Sequence, residues 1–170
     1  MGRPEKNEYG EWYAGYISLV PEEDILNAIT LQADEIKDLA ASIAENKGSY
    51  AYADGKWTVK ELLGHINDGE RIFAYRALRI ARGDRTPLSG FEQDDYIATG
   101  RFNERTVSDL ADEFVLLRRS NIKLFENLEE EAWHRMGTAS DNPISVRAAA
   151  YIMTGHVRHH LNILKSRYLA

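Results

Sequence analysis

His156 and His160 stand four residues apart in Thr154-Gly155-His156-Val157-Arg158-His159-His160-Leu161, a run that holds three of the chain's five histidines. In a helix that spacing puts both imidazoles on one face, one turn apart. Two neutral imidazoles so placed can grip a divalent metal ion if another element supplies a third ligand. His65 is the candidate, because it shares a face with Leu62 and Ile72 in a second helical stretch. Three protein nitrogens leave coordination positions open to water, which is the catalytic rather than the structural pattern. The competing reading is a set of buried, hydrogen-bonded histidines with no ion. His159 is a rival partner for His156, but it leaves the apolar stripe that His160 continues. His134, beside Trp133 and Arg135, reads as a loop residue. Asp68 either accepts a hydrogen bond from His65 as a supporting carboxylate or pairs with Arg71. Gly69 either leaves room for a ligand or lets two helices approach.

These residues need elements to position them. Pro21, followed by Glu22, Glu23 and Asp24, opens a first helix expected over about 22–46, with Ile25, Ala28, Ile29, Leu31, Gln32, Ile36, Leu39, Ala40 and Ile43 as its stripe. Thr58-Val59-Lys60-Glu61 has the form of a capping box and opens a second helix to about 82, which carries His65. A second such box, Thr106-Val107-Ser108-Asp109, opens a third helix to about 128. Ser145 caps a fourth, over about 146–168, on which Ala149, Ile152, Met153, His156, His160, Ile163 and Leu164 form one core-facing stripe. The long connection 84–105 is expected to hold a short helix at about 91–98. Residues 129–143 read as a turn of helix and then loop, and no stretch alternates convincingly enough to be a strand. Residues 1–20, with Tyr9, Trp12, Tyr13 and Tyr16, are expected to pack on the body as an aromatic arm. Four long amphipathic helices predict an all-α four-helix bundle, a single domain over 1–170.

Net charge is −6, which disfavours nucleic acid as a partner. Arg71, Arg76, Arg79, Arg82 and Arg85 read as one solvated or ion-paired helix face. No apolar run approaches the roughly 18 residues of a membrane span, and the N-terminus lacks an apolar signal core. Cysteine is absent, so there is neither a disulfide nor a thiolate nucleophile. A cytoplasmic protein with no membrane partner is the simplest expectation.

The chain also resembles the DinB-like family of four-helix-bundle metalloproteins, which includes the YfiT-type metal-dependent hydrolases. The residues that carry the resemblance are Tyr16 to Pro21, Gly55 to His65, Glu70 to Asp84, and Gly155-His156 with His159-His160-Leu161. The resemblance implies an up-down-down-up bundle and a divalent metal, typically nickel or zinc, held by His65, His156 and His160. Those are the residues that the spacing argument selects. Val157 stands where family members often carry an acidic residue, so no carboxylate acts from that position. Some family members are thiol-dependent transferases or isomerases, which makes a low-molecular-weight thiol an expected partner beside a small-molecule substrate.

Two kinds of function follow. One is a metal-dependent enzyme, either a hydrolase or a thiol-dependent transferase, with Glu61, Asp68, Asp94 and Asp95 as candidate proton acceptors and no catalytic residue fixed. The other is a non-catalytic bundle that binds metal or a ligand, possible as a homodimer through the aromatic arm and exposed helix faces.

Overall fold

Residues 2–169 are described by a computed structural model; Met1 and Ala170, the two ends of the expected domain, lie outside the described residues. In chain order the elements are α1 (Ala14–Ser18), α2 (Ile25–Ala41), α3 (Val59–Ala81), α4 (Gln93–Thr99), α5 (Val107–Glu126), α6 (Glu130–Trp133), β1 (Met136–Ala139), β2 (Asn142–Ser145) and α7 (Val146–Ile163). The four long helices are those that the apolar stripes predict.

Each long helix starts where a side chain satisfies its free backbone N–H groups, a contribution of about 1 kcal/mol per cap. Thr58 Oγ1 accepts from Glu61 N at 3.1 Å while Glu61 Oε2 accepts from Thr58 N at 2.7 Å, so the first predicted capping box closes both ways. The second closes one way: Thr106 accepts from Asp109 N, but the Asp109 carboxylate is taken by Arg105 at 2.6 Å. Ser145 Oγ accepts from Ala148 N at 3.0 Å and opens α7. The first helix is shorter than expected. Asp24 caps it, so Pro21 to Glu23 lie outside, and it ends at Ala41 rather than near 46. The chain turns early because Ala44 is extended and Glu45 is used elsewhere: its carboxylate accepts from Val107 N at 3.1 Å, at the start of α5, and pairs with Lys60 at 2.7 Å.

Cross-contacts give the helix directions. Tyr151 reaches Glu22 O and Gln32 reaches Thr154 O, so α2 and α7 run parallel. Asn67 reaches Leu110 O and Asn121 reaches Glu70, so α3 and α5 run parallel. Tyr168 meets Trp57 O whereas His156 meets Phe73, so α3 and α7 are antiparallel. Glu45 meets the start of α5 and Ile25 and Phe125 line one cleft, so α2 and α5 are antiparallel. The bundle is therefore up-down-down-up, and the long 82–106 connection joins two parallel neighbours as that topology requires.

Its interior is in two apolar parts. One holds Phe73, Ala77 and Ile80 of α3 with Ala149, Ile152 and Met153 of α7; the other holds Leu62, Leu63 and Ile66 with Val157, Leu161 and Leu164. Between them lies a buried polar layer of Gln32, Asn67, Glu70, Arg118, Thr154 and His156. The N-terminal arm packs on α7 as expected, with Tyr13, Ile17 and Val20 buried. Gly155 permits this, since a Cβ there would run into the Tyr16 carbonyl.

Two expectations need correction. Residues 136–145 form an antiparallel hairpin, Met136 opposite Ser145 and Ala139 opposite Asn142, where loop was expected. Its two-residue turn, Ser140-Asp141, has positive φ at both positions, as a type I′ hairpin demands, without the usual Asn-Gly signal. Arg76 is also not on a solvated face: it is 2% exposed. Among the described residues no helix is long and apolar enough to cross a membrane.

Candidate metal centre

α3 delivers His65 and α7 delivers His156 and His160 to one point in the bundle. His65 Nε2 lies 2.9 Å from His156 Nε2, and His160 Nε2 lies 3.1 Å from the same atom. All three are buried. Burial pushes each imidazole below its ordinary pKa, His65 to about 4 and His160 to about 2, with His156 also well below. For His156 and His160 the neighbouring imidazoles add to the effect. Neutral imidazoles with free lone pairs are the form that binds a metal ion.

The donor set fits a divalent ion. His156 Nε2 faces two other ring nitrogens at once, and a neutral ring nitrogen can donate or accept but cannot serve both with one proton or one lone pair. An ion at the meeting point of the three lone pairs removes that conflict. Nitrogens about 2.1 Å from a common ion lie about 3.0–3.4 Å apart at right-angle or tetrahedral spacing, close to the separations found here. Among the described residues these three are the one group of three or more His, Asp and Glu side chains whose ligand atoms lie within 4.8 Å of one another. His160 Nδ1 is buried with no hydrogen-bond partner.

Aromatic rings enclose the cluster. Trp57 stands 4.7 Å from His65, Tyr16 5.5 Å from His156 and Phe73 5.7 Å from His156, ring centre to ring centre. The space at Gly69 is filled by the His156 ring of α7, which is close packing of two helices rather than room for a ligand: a Cβ there would be 2.8 Å from His156 Cε1. Above the cluster opens a cavity of about 820 Å³, lined by His65, His156, Tyr16, Phe73 and Arg76 on one side and by Gly90 to Asp95 on the other. The 84–105 connection, with α4 inside it, is therefore a wall of this cavity.

Other candidate residues fall elsewhere. His159 lies outside the cluster, 5.3 Å from the Tyr16 ring. His134 is half-exposed beside Glu130. Asp68 makes no hydrogen bond to His65; its nearest charge partner is Arg71 at 3.9 Å, and it lines a different groove with Tyr96 and Phe102. Glu61 is committed to its cap and to Asn103. Asp94 and Asp95 line the cavity, and the Asp94 charge acts on His65. Tyr16, Phe73 and Arg76 are site residues that sequence reasoning did not select. The arm's aromatic density was the available signal for Tyr16; nothing in the pattern marked Arg76 apart from its neighbours.

Comparison with known proteins gives the family and the fold. A family model described as the DinB superfamily matches residues 28–164. The chain belongs to the DinB superfamily. Among solved structures, this DinB-superfamily chain is similar to YfiT from Bacillus subtilis, described as a probable metal-dependent hydrolase with an unusual four-helix bundle topology. The TM-score is 0.71 at 15% identity, over 96% of this chain and 89% of that one. It is also similar to a mycothiol-dependent maleylpyruvate isomerase, with TM-score 0.66 at 13% identity, over 85% of this chain and 61% of that one. A DinB-like protein, YjoA, from Bacillus subtilis follows with TM-score 0.61 at 21% identity, over 85% and 89% of the two chains. No curated protein sequence matches the chain. At these identities the structural likenesses establish the shared fold.

Proposed function

We propose that this DinB-superfamily protein holds one divalent ion, nickel or zinc, on His65, His156 and His160, and uses it as an enzyme on a small molecule. The observation that carries the reading is the convergence of three neutral, buried imidazole nitrogens, two of them on His65 and His156, which line an open cavity. Bound there, such an ion supplies Lewis acidity, which polarises a substrate oxygen or makes a water or thiol easier to deprotonate.

The chain's own residues supply the rest. Tyr16, Phe73 and Trp57 shield the imidazoles from bulk water and hold their ring planes. Asp94, exposed on α4 and facing the cavity, is placed to take a proton from a nucleophile on its carboxylate oxygen. The reaction is either hydrolysis or transfer of a low-molecular-weight thiol. The second is supported by the fold shared with a mycothiol-dependent isomerase.

The test is metal content by mass spectrometry on protein purified without a metal-affinity tag, beside the His156→Ala/His160→Ala double variant. About one ion per chain in the wild type and none in the variant is the expected result. Absence of metal from the wild type after incubation with nickel and zinc overturns the reading. Screening of ester and amide hydrolysis with and without added thiol then separates the two reactions.

A further inference from the structure

Arginines are buried only at a cost, and a buried guanidinium is normally matched by a carboxylate. Among the described residues three arginines are buried: Arg76, Arg118 and Arg147. Arg118 has Glu70 at 2.8 Å, and Arg147 has Glu8. Arg76 has no carboxylate within ion-pair distance among the described residues. Its Nη1 donates to Tyr13 Oη at 3.3 Å, and its Nη2 donates to Ser89 O and Ser140 Oγ, both at 2.9 Å. All three partners are neutral, and they use three of the five N–H donors that a guanidinium carries. Nε and one Nη1 hydrogen have no protein acceptor among the described residues.

These contacts also fix Arg76 in place. Tyr13 comes from the N-terminal arm, Ser89 from the long connection and Ser140 from the hairpin turn, so three separate segments hold one guanidinium. Arg76 and His156 both line the 820 Å³ cavity. The Phe73 ring neighbours both, 5.8 Å from the guanidinium carbon and 5.7 Å from the His156 ring centre, so the two lie no more than about 12 Å apart. The remaining charges on the cavity wall are the exposed carboxylates Glu92, Asp94 and Asp95, whose repulsion an anion must offset by direct contact with the guanidinium.

We propose that Arg76 is an anion-recognition residue: the molecule that enters this cavity carries a carboxylate or phosphate group, which pairs with the Arg76 guanidinium and directs the rest of the molecule toward His156. The proposal rests on the cavity being the substrate site and specifies the substrate class. An anion there would engage the unused donors in a charge-assisted pair, the match that the fold leaves out. The aromatic lining of Trp12, Tyr16, Phe73 and Phe91 suits an apolar portion beside the charge.

The experiment compares phenylacetate and phenyl phosphate with neutral phenylacetamide by calorimetric titration, on the protein as purified and after removal of metal with EDTA. The acids are expected to bind about tenfold or more tighter than the amide, in both preparations, and the stronger of the two identifies the headgroup. Arg76→Gln is expected to abolish the difference and Arg76→Lys to keep part of it. Equal binding of acid and amide overturns the proposal, as does failure of all three to bind at millimolar concentration. A preference that survives Arg76→Gln overturns it too, and so does one that disappears on metal removal, since the anion then sits on the ion. Should Arg76→Gln not fold, the Arg76 Nε–H resonance of the wild type decides: it must shift with phenylacetate and not with phenylacetamide. An anion preference in a protein that never takes up metal would sink the metal reading and leave this one standing.

Discussion

Gly69 of α3 faces the His156 imidazole across the helix interface so closely that an added Cβ would stand 2.8 Å from Cε1. Helix propensity alone makes Gly69→Ala stabilising by about 1 kcal/mol. The steric effect acts on the ligand ring and has the opposite consequence for the site. The variant is expected to keep its helical circular dichroism and melt at or near the wild-type temperature, while its zinc affinity falls about 10- to 100-fold. Competition against a chromogenic chelator measures this. Unchanged affinity would mean that His156 does not hold the ion.

Glu70 and Arg118 form an ion pair with no solvent exposure on either side chain, in the polar layer that divides the core. Glu70 also accepts from Asn121 at 2.7 Å, while Arg118 stacks over Phe114. Burial pushes the Glu70 carboxyl up and the Arg118 guanidinium down, and their mutual attraction opposes both shifts. Glu70→Gln leaves a buried cation without a counter-charge, so the expected loss is roughly 3–5 kcal/mol, a fall in Tm of about 10 °C for a chain of this size. Glu70→Leu/Arg118→Met, which removes both charges, is expected to lose much less. Scanning calorimetry on the two variants distinguishes a compensated pair from two independent polar contacts.

Acid sensitivity should enter through the N-terminal arm. Glu8 accepts from Ser145 Oγ at 2.6 Å and from Arg147, joining the arm to the start of α7. Burial raises its pKa, but the hydrogen bonds from Arg147 and Ser145 outweigh that and hold it at about 2, against 4.5 when free. A depressed carboxylate pKa contributes stability above the unfolded value, and that contribution is lost as pH falls through the folded one. Here the loss runs from about pH 4.5 to about pH 2 and amounts to at most about 3 kcal/mol. Glu8→Gln is expected to be less stable at pH 7 and to show a flatter stability curve across that window in urea titrations.

The sequence revealed the parts of this fold that repeat a local rule. Thr58 with Glu61, and Ser145 before an apolar stripe, announce helix starts that the structure keeps within a residue. The i, i+4 histidines continue a core stripe, and adding the one other histidine on such a stripe is enough to select the three that cluster. What stayed hidden depends on distant chain. Arg76 has the same spacing as Arg71 and Arg79, and becomes buried only because Tyr13, Ser89 and Ser140 fold over it. Asp68 is three residues from His65, yet its side chain points to the groove beside α5. The hairpin at 136–145 has strands too short to show alternation, and its Ser140-Asp141 turn lacks glycine.

Asp94 is the carboxylate through which the proposed chemistry can be tested apart from metal binding. Its charge acts on His65 across the cavity, but it is not among the clustered ligand atoms. A proton acceptor at this position contributes about 10²- to 10⁴-fold to rate, whereas a residue that merely lines the wall contributes little. Once a substrate is in hand, Asp94→Asn is expected to lower kcat in that range with metal content unchanged. Asp95→Asn, on the same short helix, is the control and should change kcat by no more than a few-fold. Loss of metal in Asp94→Asn would instead make Asp94 part of the ion's surroundings. Equal effects of the two substitutions would reduce both to a general negative charge on α4, and the proton would then have to leave by solvent.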